Sequence, residues 1–176
     1  MTLTLNNVID HARHRGYMTG VERDQHRIKA TGEVFTPTAL VQEALDKLPQ
    51  TLFSDPGKTF IDPSCGDGQF LSEVLIRKVA AGIDFETALS TIYGVDIMID
   101  NVDACRERLL CGQEHLRHIV EKNIQCKNSM DYGYKFELMG TARRKTEQSM
   151  RKRQHKHLVK SHKEQQEKRL FGQVLN

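Results

Sequence analysis

The sequence predicts an α/β fold: a partial, mostly parallel sheet with helices between its strands, then a basic C-terminal extension that is either a solvated helix or disordered. Three observations predict it. A short apolar strand ends at Asp62-Pro63, passes through a turn holding Gly66 and Gly68, and enters an apolar helix. A second strand pattern, Tyr93-Gly94-Val95-Asp96, also ends on a carboxylate. Strand and helix patterns alternate between and after these two, which implies right-handed crossovers and parallel pairing.

Taken in order, residues 1–30 are polar and rich in His and Arg, with a short helix over Leu5–Arg13 and little sign of a core. Gly32-Glu33-Val34-Phe35-Thr36-Pro37 reads as a turn into an extended stretch, because the residue before a proline is pushed out of the helical region. Thr38 is the expected cap of a helix with apolar residues at Leu40, Val41, Ala44, Leu45 and Leu48, a helical period closed by Pro49. Asp55-Pro56-Gly57 is a turn. A buried strand is expected over residues 58–62. The helix after it, residues 69–81, turns Phe70, Leu71, Val74, Leu75 and Val79 inward, and Gly82 stops it. A short helix from Asp84 or Phe85 to Leu89, a strand over 92–95, a helix over 98–111 capped by Asp100 and a weaker strand over 123–127 follow. Residues 134–140 have the pattern of one more short strand.

The net charge of +3 conceals a division. Residues 141–176 hold eleven Lys or Arg against three Glu, whereas the first 140 residues carry a net of −5. The chain reads as a mildly acidic domain with a basic tail. No apolar run approaches the ~18 residues that span a bilayer, and the first residues have no signal-peptide pattern. The four cysteines have no C-x-x-C spacing, so neither a zinc site nor a disulfide framework is expected. They read as small buried hydrophobes, and a reducing, cytoplasmic setting fits them. His155 and His157 are two apart, face different sides of a helix and have no carboxylate or thiol cluster beside them, so no metal site is expected.

The ordered blocks between about Gly32 and Tyr132 resemble the S-adenosylmethionine-dependent DNA adenine-N6 methyltransferases, with the motif order of their gamma class. Gly32 to Pro37 is similar to that family's upstream cofactor block. Asp62-Pro63-Ser64-Cys65-Gly66-Asp67-Gly68-Gln69-Phe70 is similar to its glycine loop, Tyr93-Gly94-Val95-Asp96-Ile97 to its acidic strand, and Asn123-Ile124 through Asn128-Ser129-Met130-Asp131-Tyr132 to the block that touches the adenine amino group. The resemblance implies a partial Rossmann-like methyltransferase sheet over 31–140 that binds S-adenosylmethionine. Thr36 would meet its carboxylate, Asp62 its ammonium and sulfonium end, Asp96 both ribose hydroxyls, and Ile97 the adenine face. Ser64, Gly66 and Gly68 would form the cofactor loop, with Cys65 lining it rather than acting as a nucleophile. Asn128 stands where the family usually has Asp. Taken alone, Asp62-Pro63 also fits a plain strand-ending turn, Thr36-Pro37 a common helix entry, and Asp131 a turn cap.

One family element is missing. Adenine-N6 transfer needs a flipped base whose amino group is held beside the methyl donor. The family's holder is an Asp or Asn followed by two prolines and an aromatic residue. The four prolines here are Pro37, Pro49, Pro56 and Pro63, none adjacent to another and none later in the chain. No catalytic residue is therefore assigned, and the chain is expected to be inactive alone. A second methyltransferase subunit supplies the holder, or the chain is an inactive relative. The alternative of another class is an accessory protein that binds DNA without sequence preference through the tail, with Arg143, Arg144, Lys145, Arg151, Lys152 and Arg153 as candidate phosphate contacts. A purely solubilising tail is the competing reading, and the absence of Phe, Tyr or Trp between Thr141 and Leu170 gives no support for base stacking.

Overall fold

The structure is a computed structural model and describes residues 3–13 and 36–133. The fold is mixed α/β. Among the described residues three short strands, β1 (Phe60–Asp62), β2 (Ile92–Asp96) and β3 (Ile124–Cys126), form a parallel sheet in that order. Phe60 pairs with Ile92 and Asp62 with Gly94, while Gly94 pairs with Ile124 and Asp96 with Cys126. Every residue of β2 is buried, as expected of a central strand built from Ile, Tyr and Val. β1 is not the fully buried strand its composition suggests. Phe60 and Asp62 are half-buried and Ile61 is exposed, because among the described residues β1 has a neighbour on one side only. It is also shorter than expected, since Lys58 and Thr59 precede the pairing.

Among the described residues seven α-helices accompany the sheet: α1 (Leu5–Arg13), α2 (Thr38–Asp46), α3 (Thr51–Ser54), α4 (Gln69–Ala80), α5 (Phe85–Ser90), α6 (Ile99–Leu110) and α7 (Arg117–Asn123). Residues paired across a sheet share a face. Gly94 sits so close to Leu71 of α4 that α4 must lie on the face that carries Asp62, Gly94 and Asp96. α4 packs against β1, β2 and α6, and their shared core includes Leu71, Val74, Leu75, Val102, Cys105, Leu109 and Ile124.

Two cap assignments change. Pro37, not Thr38, holds the cap position of α2; its φ of −56° and ψ of 141° are extended, and its carbonyl accepts from the Leu40 and Val41 N–H groups. Proline suits this position because its missing N–H would have no helical partner there. At α6 the cap position is Met98, and Asp100 lies inside the first turn, where its charge still complements the helix N-terminus. Asp84 caps α5, accepting from the Thr87 N–H at 3.0 Å, so the helix itself starts at Phe85.

The N-terminal segment contributes more core than its polarity suggests. Val8 and Ala12 are buried, α1 packs on α4 and α6, and Arg13 forms two 2.7 Å bonds to the carboxylate of the buried Glu73. The Lys78 ammonium, at the inner side of α4, donates to the Lys58 carbonyl at 2.8 Å and fixes the approach to β1. The expected strand at 134–140, the 141–176 extension and the histidines at 155 and 157 lie outside the described residues.

Candidate functional site

The carboxyl ends of β1 and β2 converge on the turn between β1 and α4. Parallel strands direct ligands to this end, because the loops there are free and the following helices point their N-termini at it. The turn is held from beneath by β2. The Cys65 N–H donates to the Val95 carbonyl at 3.0 Å, and the Gly66 N–H donates to Asp96 Oδ2 at 2.9 Å. Gly66 and Gly68 adopt φ values of 51° and 87°, a left-handed conformation that strains any side-chain-bearing residue. A Cβ on Gly68 would also stand 2.7 Å from the Cys105 sulfur of α6.

Asp96 is 8% exposed and organises this end of the sheet. Its Oδ1 accepts from the Met98 N–H at 2.8 Å and from the Asn101 amide at 3.5 Å, while Oδ2 takes Gly66. Each carboxylate oxygen offers two lone-pair directions, so these bonds leave acceptor capacity on Oδ2. Ile97, the next residue, is 64% exposed and sets an apolar surface beside a nearly buried charge. Asp62 lies on the same face of the sheet, with Oδ1 accepting from the Ser64 N–H at 3.0 Å. Burial lifts the Asp62 carboxyl above the ordinary carboxylate range; the Ser64 bond opposes that shift, and the charge of Asp96 adds to it. The result is an acidic site in which a bound cation would relieve a standing electrostatic cost.

A cavity of about 330 Å³ opens on the other side of Asp62, between α2 and α4 and against β1. Its walls include Leu45, Leu48, Phe60, Phe70 and Val74, and among the described residues Asp62 is the only charged one lining it. Asp96, Gly66 and Ile97 do not line this cavity, so Asp62 alone belongs to both the cavity and the acidic strand ends.

The remaining expected site residues are placed less centrally. Ser64 is exposed and contributes its backbone N–H. Thr36 is half-buried, two residues ahead of α2. Asn128 is exposed beyond β3 and closes a local turn: its amide nitrogen donates to Asp131 Oδ2 at 3.0 Å, and its oxygen accepts from the Met130 N–H at 3.0 Å. Cys65, Cys105 and Cys111 are buried free thiols, while Cys126 is half-buried. Contact with the Cys105 thiol, together with burial, holds Cys65 protonated and removes it from consideration as a nucleophile. Arg143, Arg144, Lys145, Arg151, Lys152 and Arg153 fall outside the described residues.

Asp67 and Arg108 escape a reading of the sequence. Both are buried, at 1% and 2% exposure, and Arg108 Nη2 lies 2.9 Å from Asp67 Oδ2. The only signal in the sequence is an arginine on the otherwise inward row Cys105, Arg108, Leu109 of α6, and nothing there names its partner. Among the described residues no cluster of three or more His, Cys, Asp or Glu could hold a metal ion, and no helix is long and apolar enough to cross a membrane. Comparison with family models, curated proteins and solved structures returned no match.

Proposed function

We propose that this chain binds S-adenosylmethionine at the carboxyl ends of β1 and β2, as the cofactor-binding part of a DNA adenine-N6 methyltransferase-like protein on a Rossmann-like sheet. One observation carries the reading. Two carboxylates, Asp62 and Asp96, stand on one face of the sheet at its carboxyl end, and Asp96 is tied to a two-glycine turn through the Gly66 N–H.

The residues fit the groups of that cofactor. The raised Asp62 carboxyl suits an ammonium or sulfonium, since an adjacent positive charge restores its ionised form. Asp96 is an acceptor for ribose hydroxyls, and charge-assisted bonds of this kind are roughly twice as strong as neutral ones. Ile97 offers an exposed apolar surface to the adenine ring. Thr36 and Asn128 remain candidates for the cofactor carboxylate and the adenine amino group. When bound, the cofactor supplies an electrophilic methyl group. This chain's own part is to bind and orient it, since the Pro-Pro-aromatic holder for a target base is missing from the sequence.

Calorimetric titration with S-adenosylmethionine tests the reading. Micromolar binding is expected, weakened at least tenfold, about 1.4 kcal/mol, in Asp96→Ala. Asp96→Asn accompanies it, because the aspartate also holds the Gly66 and Met98 N–H groups and alanine releases both. No binding by folded wild-type protein overturns the cofactor reading. Unchanged affinity in a folded Asp96→Ala removes the ribose role. A second reading, an accessory protein that binds DNA through its basic tail, rests on the net +8 of residues 141–176.

A further inference from the structure

We infer that Arg108 is a positioning residue for the glycine turn: through the buried Asp67 it holds the turn in the form that presents Gly66 to the ligand site. The inference rests on the cofactor reading of that turn. The backbone N–H groups of Cys65, Gly66 and Gly68 bond to β2 or within the turn. Cys65 N–H binds the Val95 carbonyl, Gly66 N–H binds Asp96, and Gly68 N–H binds the Cys65 carbonyl. The Asp67–Arg108 pair at 2.9 Å instead ties the turn to α6.

One turn earlier on α6, Cys105 lies so close to Gly68 that a Cβ there would stand 2.7 Å from its sulfur. Asn101, another turn back, reaches Asp96 at 3.5 Å. Spacings of three and four residues place these three side chains on one face of a helix, so α6 presents a continuous surface against the turn and the acidic strand end.

The pair is a poor source of stability, because desolvating two charges offsets most of their attraction and apolar replacements of similar volume are often as stable. Its consequence is conformational. Asp67 sits between two left-handed glycines, a stretch with unusual backbone freedom, and the guanidinium fixes which way that stretch turns. Directed inward, Asp67 also keeps its charge away from Asp62 and Asp96. Directed outward, it would crowd the site with a third carboxylate.

The test compares wild type with the charge-free double variant Asp67→Leu/Arg108→Met and with Asp67→Asn, which retains an oxygen for the guanidinium. Amide hydrogen exchange is read at Gly66 and Gly68 and, as controls, at Val74 and Leu75 of α4. S-adenosylmethionine affinity is read by calorimetry. The double variant should stay folded with the α4 amides protected, exchange at least tenfold faster at Gly66 and Gly68, and bind S-adenosylmethionine at least tenfold more weakly; Asp67→Asn should fall between it and wild type. A folded double variant with unchanged exchange at Gly66 and Gly68 overturns the inference, as does uniform loss of protection across turn and helix in either variant. If the wild type binds no S-adenosylmethionine, the cofactor reading fails, and exchange at the two glycines decides the positioning role by itself.

Discussion

At the scale of single residues, Asp62 sets its proposed cofactor role against stability. Burial raises its folded-state pKa, and the neighbouring Asp96 adds to the rise. In the unfolded chain the group titrates near about 4. As pH rises from there through the raised folded value, the folded state holds the proton longer, so stability falls across that window and the penalty is fully present above it. Asp62→Asn keeps an oxygen for the Ser64 N–H and removes the charge. Its melting temperature at pH 7 should equal or exceed the wild-type value, with the advantage fading as pH drops toward 4, while affinity for S-adenosylmethionine falls. A variant less stable than wild type at pH 7 would show that the Asp62 charge supports the fold. The positions of Asp62 and Asp96 at strand ends were legible because local pattern alone fixes a strand end. The Asp67–Arg108 pair was not, since partners 41 residues apart meet only once α6 has docked, and no local rule names the partner of a buried charge.

Elements follow the same division between local and long-range control. α4, α5 and β2 were readable because period, cap and breaker agree: Asp84 caps α5, and the Gly82 N–H bonds the Val79 carbonyl just past the end of α4. The Thr87 hydrogen bonds hold the Asp84 carboxyl below its ordinary range. That contribution is present above the unfolded pKa and is lost as pH falls through the folded one, opposite in sign to Asp62. Asp84→Ala should cost about 1 kcal/mol in urea unfolding at pH 7 and less in acid; an equal loss at both would mean the cap acts without its charge. α1 was legible as a helix but not as part of the core, because two small apolar residues in a polar segment carry little signal until Arg13 meets Glu73. α7 and α3 escaped because a turn or two of helix gives too few positions for a period to emerge. The joint between α4 and β2 depends on Gly94. A Cβ there would stand 2.8 Å from Leu71 Cδ1, 2.9 Å from the Cys65 sulfur and 3.1 Å from Cys65 Cβ, which is fixed to the backbone and cannot swing away. Gly94→Ala should therefore destabilise by about 1–3 kcal/mol through overpacking. The double variant Gly94→Ala/Cys65→Ala should recover part of that loss in the same urea titration, and no recovery would place the strain on α4 alone.

For the whole molecule, the division of charge and the missing holder set the tests of the proposed function. A tail of net +8 facing phosphates would release counterions, so duplex affinity should fall on the order of a thousandfold or more between ~50 and ~200 mM salt. Removing residues 141–176 should abolish that binding; binding that survives the deletion would place the DNA surface on the acidic domain. Transfer is a separate matter. The proposed cofactor site uses only the strand ends of β1 and β2, but moving a methyl group to adenine N6 would also need acceptors for the amino group and a ring to stack on the extruded base. All four prolines lie at or before residue 63, ahead of β2 and β3, so residues 64–176 hold no Pro-Pro-aromatic segment. Purified protein supplied with duplex DNA and S-adenosylmethionine labelled in its methyl group should bind the cofactor yet leave no label on adenine. Label should appear only when a second polypeptide carrying an Asn-Pro-Pro-aromatic segment is added. Label on adenine from the pure chain would mean that a holder of different chemistry sits in this fold, and the exposed carboxyl-end residues beyond β3, Asn128 and Asp131 first, would be the place to find it.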